Sequence, residues 1–215
     1  LKEKLEKTYG VDVEIYSADL SVKEERQKLF DYTTSNHMIV ENLINNAGFG
    51  NADAYLDTPW ELQKNMVDIN VVALMHLSHL YGNEMKKRRK GRILNVASVA
   101  AFSAGPYMSV YYASKAFVFS LSQAMYEELK GYGVSVTALC PGPTGTNFEN
   151  TAGLTNSKMF KVFGVEKADS VVKRGYKGMM RGKAIVYHSK VTYGFNIITR
   201  LVSRKCARNI AGRIN

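Results

Sequence analysis

At 215 residues, 46% hydrophobic and 22% charged, the chain suits one domain with a full-sized core. No run approaches the ~18 uncharged apolar residues of a membrane span; the opening residues do not read as a secretory signal; and two cysteines, Cys140 and Cys206, are too few for a disulfide framework and agree with a reducing, cytoplasmic setting. The formal charge of +10 gathers between Lys86 and Arg92 and in the tail from Lys190 to Arg213, where nucleic acid, anionic lipid or a phosphorylated cofactor could each be met.

In chain order, LKEKLEKTYG reads as a charged helix stopped by Gly10, and VDVEIYSADL as a strand. SVKEERQKLFDYTTS follows as a helix with Ser21 as N-cap and Glu24 completing a capping box. IVENLINNAGFG is a short apolar strand ending in a turn, and DTPWELQKNM starts a helix with Thr58 as N-cap and Pro59 at the first helical position. The long helix NVVALMHLSHLYGNEMKKRRK comes next, its cations complementing the negative dipole end and Gly91 stopping it. Strand RILNVAS, helix SVYYASKAFVFSLSQAMYEELKG and strand VSVTALCPG follow, then helix ADSVVKRGYKGMMRG, strand KAIVYHS and a final basic helix. Alternating helices and near-continuous apolar strands predict an α/β, doubly wound, Rossmann-like parallel sheet flanked by helices. Residues 147–167 break that rhythm and are expected to form a mobile substrate-binding loop.

In such a sheet ligands lie beyond the carboxyl ends of the strands. Asp19, Asn45, Asn46, Ala47, Gly48, Ser98, Pro141 and Gly142 all sit at predicted strand ends and should share one rim. The helix after Ser98 carries Tyr111 and Lys115 four residues apart in SVYYASKAF, on one helix face. A phenol titrates near ~10, and an ammonium within ~4–6 Å lowers that value, making a proton-transfer pair. Tyr112 is the rival phenol, without a lysine at that spacing.

Together, NNAG, DIN with Asn70, Ser98 thirteen residues before Tyr111, YYASK and PGPTGT resemble the short-chain dehydrogenase/reductase family, from about Leu5 to the C-terminus. The resemblance implies an NAD(P)-dependent oxidoreductase moving a hydride between a nicotinamide and a carbonyl or alcohol substrate. Tyr111 would be the general acid/base, Lys115 would hold the nicotinamide ribose, Ser98 would orient the substrate oxygen, and Asn70 would steady a water chain. Asp19 is placed at the adenine edge and Asn45 to Gly48 at the adenosine ribose. Pro141 and Gly142 would pack on one nicotinamide face, with Thr144 and Thr146 near carboxamide and phosphates. A small-molecule ketone or alcohol, apolar in character, is the implied substrate, and a homodimer or homotetramer built on the two long apolar helices is the implied assembly. No metal and no nucleic acid are expected.

One family signature is missing: the turn Thr-Gly-x-x-x-Gly-x-Gly does not occur, and GFGNAD at Gly48 to Asp53 lacks its third glycine. The resemblance therefore implies that the first strand, the phosphate-binding turn, its helix and the second strand, on the order of ~40 residues, precede Leu1, so that the fold given is N-terminally truncated. An inactive binding module is the alternative reading. The residue that selects the coenzyme usually follows the second strand, so the basic surplus alone leans to NADP over NAD. His76 and His79, three apart on a helix, lack a third ligand in sequence. The tail from Tyr193 has apolar and cationic residues at helical spacing; packing on the domain is preferred there over association with an anionic membrane.

Overall fold

The computed structural model describes residues 1–146, 148, 152–153 and 164–214. The expected loop at 147–167 therefore lies largely outside the described residues. Four parallel strands form the main sheet in the order β1 (Asn42–Asn45), β2 (Gly91–Val96), β3 (Val134–Cys140) and β6 (Ile185–Tyr187), while β4 (Thr144–Gly145) and β5 (Glu166–Lys167) make a separate parallel pair. The helices are α1 (Lys2–Tyr9), α2 (Lys23–Ser35), α3 (Trp60–Val67), α4 (Leu74–Arg88), α5 (Ser109–Leu129), α6 (Ala168–Met180), α7 (Lys190–Leu201) and α8 (Arg204–Ile214). This is the Rossmann-like parallel sheet that the alternating pattern predicts.

Side-chain parity along the strands divides the core. Ile93, Val134 and Val136 pack with Leu77, Tyr81 and Met85 of α4 on one face. Leu94 and Leu139 pack with Val171 and Met179 of α6 on the other. Both faces are covered, as continuous apolar strands require.

Several local expectations are corrected. Residues 10–19 form no strand and expose Ile15 to 70%; a strand needs a ladder, and among the described residues β1 pairs only with β2. The capping box does not form: Val22 is the N-cap of α2 without a side-chain cap, because Ser21 Oγ and N–H both donate to Asp19 Oδ1. Pro59, not Thr58, is the N-cap of α3. Arg89, at φ 54°, ends α4, whereas Gly91 opens β2. The basic tail is two helices, parted where Val202 turns extended at φ −91°, ψ 159°.

Gly133 fixes how α5 returns to the sheet. Its φ is +70°, and a Cβ there would stand 2.3 Å from the Arg89 carbonyl oxygen, a backbone atom. Gly133→Ala should therefore destabilise by roughly 2–4 kcal/mol, read as a lower urea midpoint at unchanged m-value. Gly131→Ala, with nothing within 4 Å, should leave the midpoint almost unmoved.

Candidate active site

A cleft of about 450 Å³ opens at the carboxyl ends of β1, β2 and β3. Asn46, Gly48, Ser98, Tyr111, Lys115, Pro141, Gly142, Thr144 and Thr146 line it, so nine of the residues singled out by sequence meet there. Asn70 lies directly behind. Three do not meet it: Asp19 is an exposed turn residue tied to Ser21, Ala47 is exposed on the turn after β1 and outside the lining, and Asn45 points into the core. Asn45 Nδ2 donates to Ser78 Oγ at 2.9 Å and to Asn95 Oδ1 at 2.8 Å, and Asn95 Nδ2 donates to Ser122 Oγ at 3.0 Å. This chain ties β1 and β2 to α4 and α5.

Asn70 sits in a π-helical turn, Asp68–Ala73, between α3 and α4, the kind of interruption that recurs at functional sites. Its amide is spent on positioning. Oδ1 accepts from the Phe49 N–H at 3.0 Å, while Nδ2 donates to the Phe49 carbonyl at 2.8 Å and to Ser114 Oγ at 3.1 Å. Ser114 Oγ in turn donates to the Tyr111 carbonyl at 2.7 Å. Asn70 thus couples the turn after β1 to the turn of α5 that carries the phenol, a role of Ser114 that the sequence does not announce.

Ser98 lies two residues past β2, accepts from the Ala100 N–H at 3.1 Å, and stands near enough to the Tyr111 phenol to pull its titration downward. Tyr111 packs on Phe148 at 5.3 Å between ring centroids. The Lys115 ammonium stands 5.7 Å from the centre of the Tyr111 ring and donates to the Val96 carbonyl at 2.9 Å. Burial pushes the Tyr111 phenol up to about 12, with the Ser98 hydrogen bond pulling the other way. Burial also brings Lys115 down to about 8. The expected acidification of Tyr111 by Lys115 is therefore not the net effect in this geometry: the ammonium is turned to Val96, and desolvation of the phenolate outweighs it.

Gly48 leaves the floor of the cleft open. A Cβ there would lie 2.9 Å from Asn70 Oδ1 and 3.4 Å from Lys115 Nζ. The opposite wall, which sequence reasoning missed, is apolar and comes from Val171 and Val172 at the start of α6. Tyr112 is 6% exposed and packed with Met108 and Ala211. The two histidines are engaged by helix neighbours, His76 Nδ1 accepting from Arg26 Nε at 3.2 Å and His79 lying against Asn83.

The family model for short chain dehydrogenase matches residues 1–152. The 17-beta-hydroxysteroid dehydrogenase type 3 of Mus musculus is 31% identical over 182 residues, covering 82% of this chain and 55% of that protein. The 7beta-hydroxysteroid dehydrogenase of Collinsella aerofaciens is 30% identical over 146 residues, 68% of this chain and 55% of that protein. A short-chain dehydrogenase from Sphingobium yanoikuyae, solved in complex with NADPH, superposes with a TM-score of 0.81 at 26% identity, covering 93% of this chain and 78% of that one. The chain spans 24% to 57% of the length of curated relatives that it matches. A match over residues 1–152, holding Asn70, Ser98, Tyr111 and Lys115 around one cleft, places the chain in the short-chain dehydrogenase family.

Proposed function

We propose that the chain is the catalytic part of an NAD(P)-dependent oxidoreductase that interconverts a carbonyl and an alcohol. The observation that carries this reading is the convergence of Ser98, Tyr111 and Lys115 on one cleft. The cleft would take the nicotinamide–ribose end of the cofactor: Gly48 leaves space where a Cβ would fill the gap between Asn70 and Lys115, and Thr144 and Thr146 also line it. The cofactor would supply or accept the hydride. Lys115 would donate to its ribose hydroxyls, and Pro141 and Gly142 would flank the ring. Ser98 orients the substrate oxygen beside Tyr111. Held in the acid form by burial, the Tyr111 phenol is suited to giving a proton to a carbonyl oxygen, which favours the reductive direction.

Val171, Val172 and Phe148 make the substrate side of the cleft apolar. Relatives named for steroid alcohols support a bulky, apolar alcohol or ketone as substrate. The NADPH of the Sphingobium yanoikuyae enzyme and the charge of +10 favour NADP over NAD, although a 27% identical dehydrogenase was solved with NADH. Self-association would use the exposed Val67, Met75 and Phe117 of α3, α4 and α5.

The test is coenzyme oxidation by the purified protein across ketones of rising bulk, with NADPH and NADH in parallel. Turnover of bulky apolar ketones, faster with NADPH, is the expected result. Coenzyme binding without turnover of any ketone would favour the binding-module reading instead.

A further inference from the structure

Away from the cleft, the edge of β6 carries an open groove of about 420 Å³ between α6 and α7. Five cations line it, Arg174, Lys177, Arg181, Lys183 and Lys190, together with Tyr187 and Tyr193, and no carboxylate does. All five are exposed. Among the described residues none of them has a carboxylate partner within 4.0 Å.

The helices beside the groove are apolar on the outside. On α6, Val171, Gly175, Gly178 and Met179 face the sheet, while Val172, Tyr176 and Met180 form an outer stripe, 64%, 52% and 39% exposed. On α7 the usual arrangement is inverted. Its inner positions are the polar Thr192 and Asn196, 1% and 3% exposed, whereas Val191, Ile198 and Leu201 face outward at 51%, 52% and 81%. A surface helix normally turns its polar side to water. Two outward apolar stripes flanking a groove of unpaired cations mark a covered surface.

We propose that this face, α6, the β6 edge and α7, docks on an anionic lipid bilayer. The charge pattern selects that occupant. Interleaved cations and aliphatic or aromatic side chains suit the headgroup–acyl boundary, where ammonium and guanidinium groups meet acidic headgroups while apolar tips enter the acyl edge. A second copy related by a two-fold axis would bring the five-cation groove against its own image, a like-charge contact. Nucleic acid would use the cations but gain nothing from Leu201 and Ile198. Val172 belongs both to this face and to the lining of the cleft, so the docked surface runs up to the cleft mouth.

The experiment is co-sedimentation of the full chain with phosphatidylcholine vesicles, with and without phosphatidylserine, at low and high salt. Binding to the phosphatidylserine vesicles that falls as salt rises is expected, with little binding to phosphatidylcholine alone. Lys177→Gln with Arg181→Gln should weaken it about fivefold for each charge removed. Leu201→Asp should weaken it although the groove keeps every cation. All three side chains are exposed, and an unchanged melting temperature confirms that the variants fold. The proposal is overturned if both vesicle types bind equally, if binding persists in these variants, or if no vesicle binds. Sedimentation velocity and duplex DNA titration identify the replacement: dissociation of an oligomer by Leu201→Asp assigns the face to a second copy, and salt-sensitive DNA binding indifferent to Leu201→Asp assigns it to nucleic acid.

Discussion

Tyr111→Phe is expected to lower turnover by roughly 10²–10⁴-fold, the contribution of a positioned general acid, while coenzyme affinity stays close to that of the parent. The substitution removes one oxygen and little else. The ring keeps its contact with Phe148, and Ser98 Oγ keeps the Ala100 N–H, so stability should move by no more than about 1 kcal/mol. Steady-state rates with a bulky ketone, set beside coenzyme fluorescence titrations, separate chemistry from binding. Tyr112→Phe provides the contrast: it changes a neighbouring phenol on the same turn of α5 and should retain turnover. Undiminished activity in Tyr111→Phe, or equal loss in both variants, would remove the phenol from the reaction.

The parts of this protein that could be read from sequence are those set by local chemistry. Apolar runs mark β2 and β3, and the Tyr111–Lys115 spacing on α5 follows from helical periodicity alone. Ser98 is found because a strand end in a parallel sheet points to the ligand side. What could not be read depends on partners distant in sequence. VDVEIYS has the composition of a strand, but composition supplies no ladder, and residues 10–19 stay unpaired. Asn45 and Asn46 are adjacent, yet strand parity sends the first into the network with Asn95 and Ser78 and leaves the second lining the cleft. The π-helical turn at Asn70 rests on bonds to Phe49 and Ser114, 21 and 44 residues away. The inverted amphipathicity of α7 emerges only once the sheet fixes which side faces inward.

Lys115→Met should abolish most turnover yet raise stability, a split that a merely structural lysine would not produce. The Lys115 side chain is 6% exposed, and its protein partner is the Val96 carbonyl rather than a carboxylate. Burial brings it from 10.5 down to about 8, so at neutral pH the folded chain bears a desolvated charge costing roughly 3 kcal/mol. The nearby Cys140 thiol gives no relief at that pH, since burial raises its own titration further. Losing the bond to Val96 returns part of that cost, leaving a net gain on the order of 1–2 kcal/mol for the variant. The sign with pH follows. Between about 8 and 10.5 the unfolded chain holds the lysine proton and the folded chain does not, so parent stability climbs across that window. Between about 10 and 12 the buried Tyr111 keeps a proton that the unfolded chain has lost, so stability then falls. Urea titrations at stepped pH should show the first limb in the parent and its loss in Lys115→Met. A variant less stable than the parent at neutral pH, or one that keeps the rise above pH 8, would mean that the ammonium is not held against a desolvation penalty. The low titration point that keeps part of the Lys115 population neutral near pH 8 would then have no physical basis.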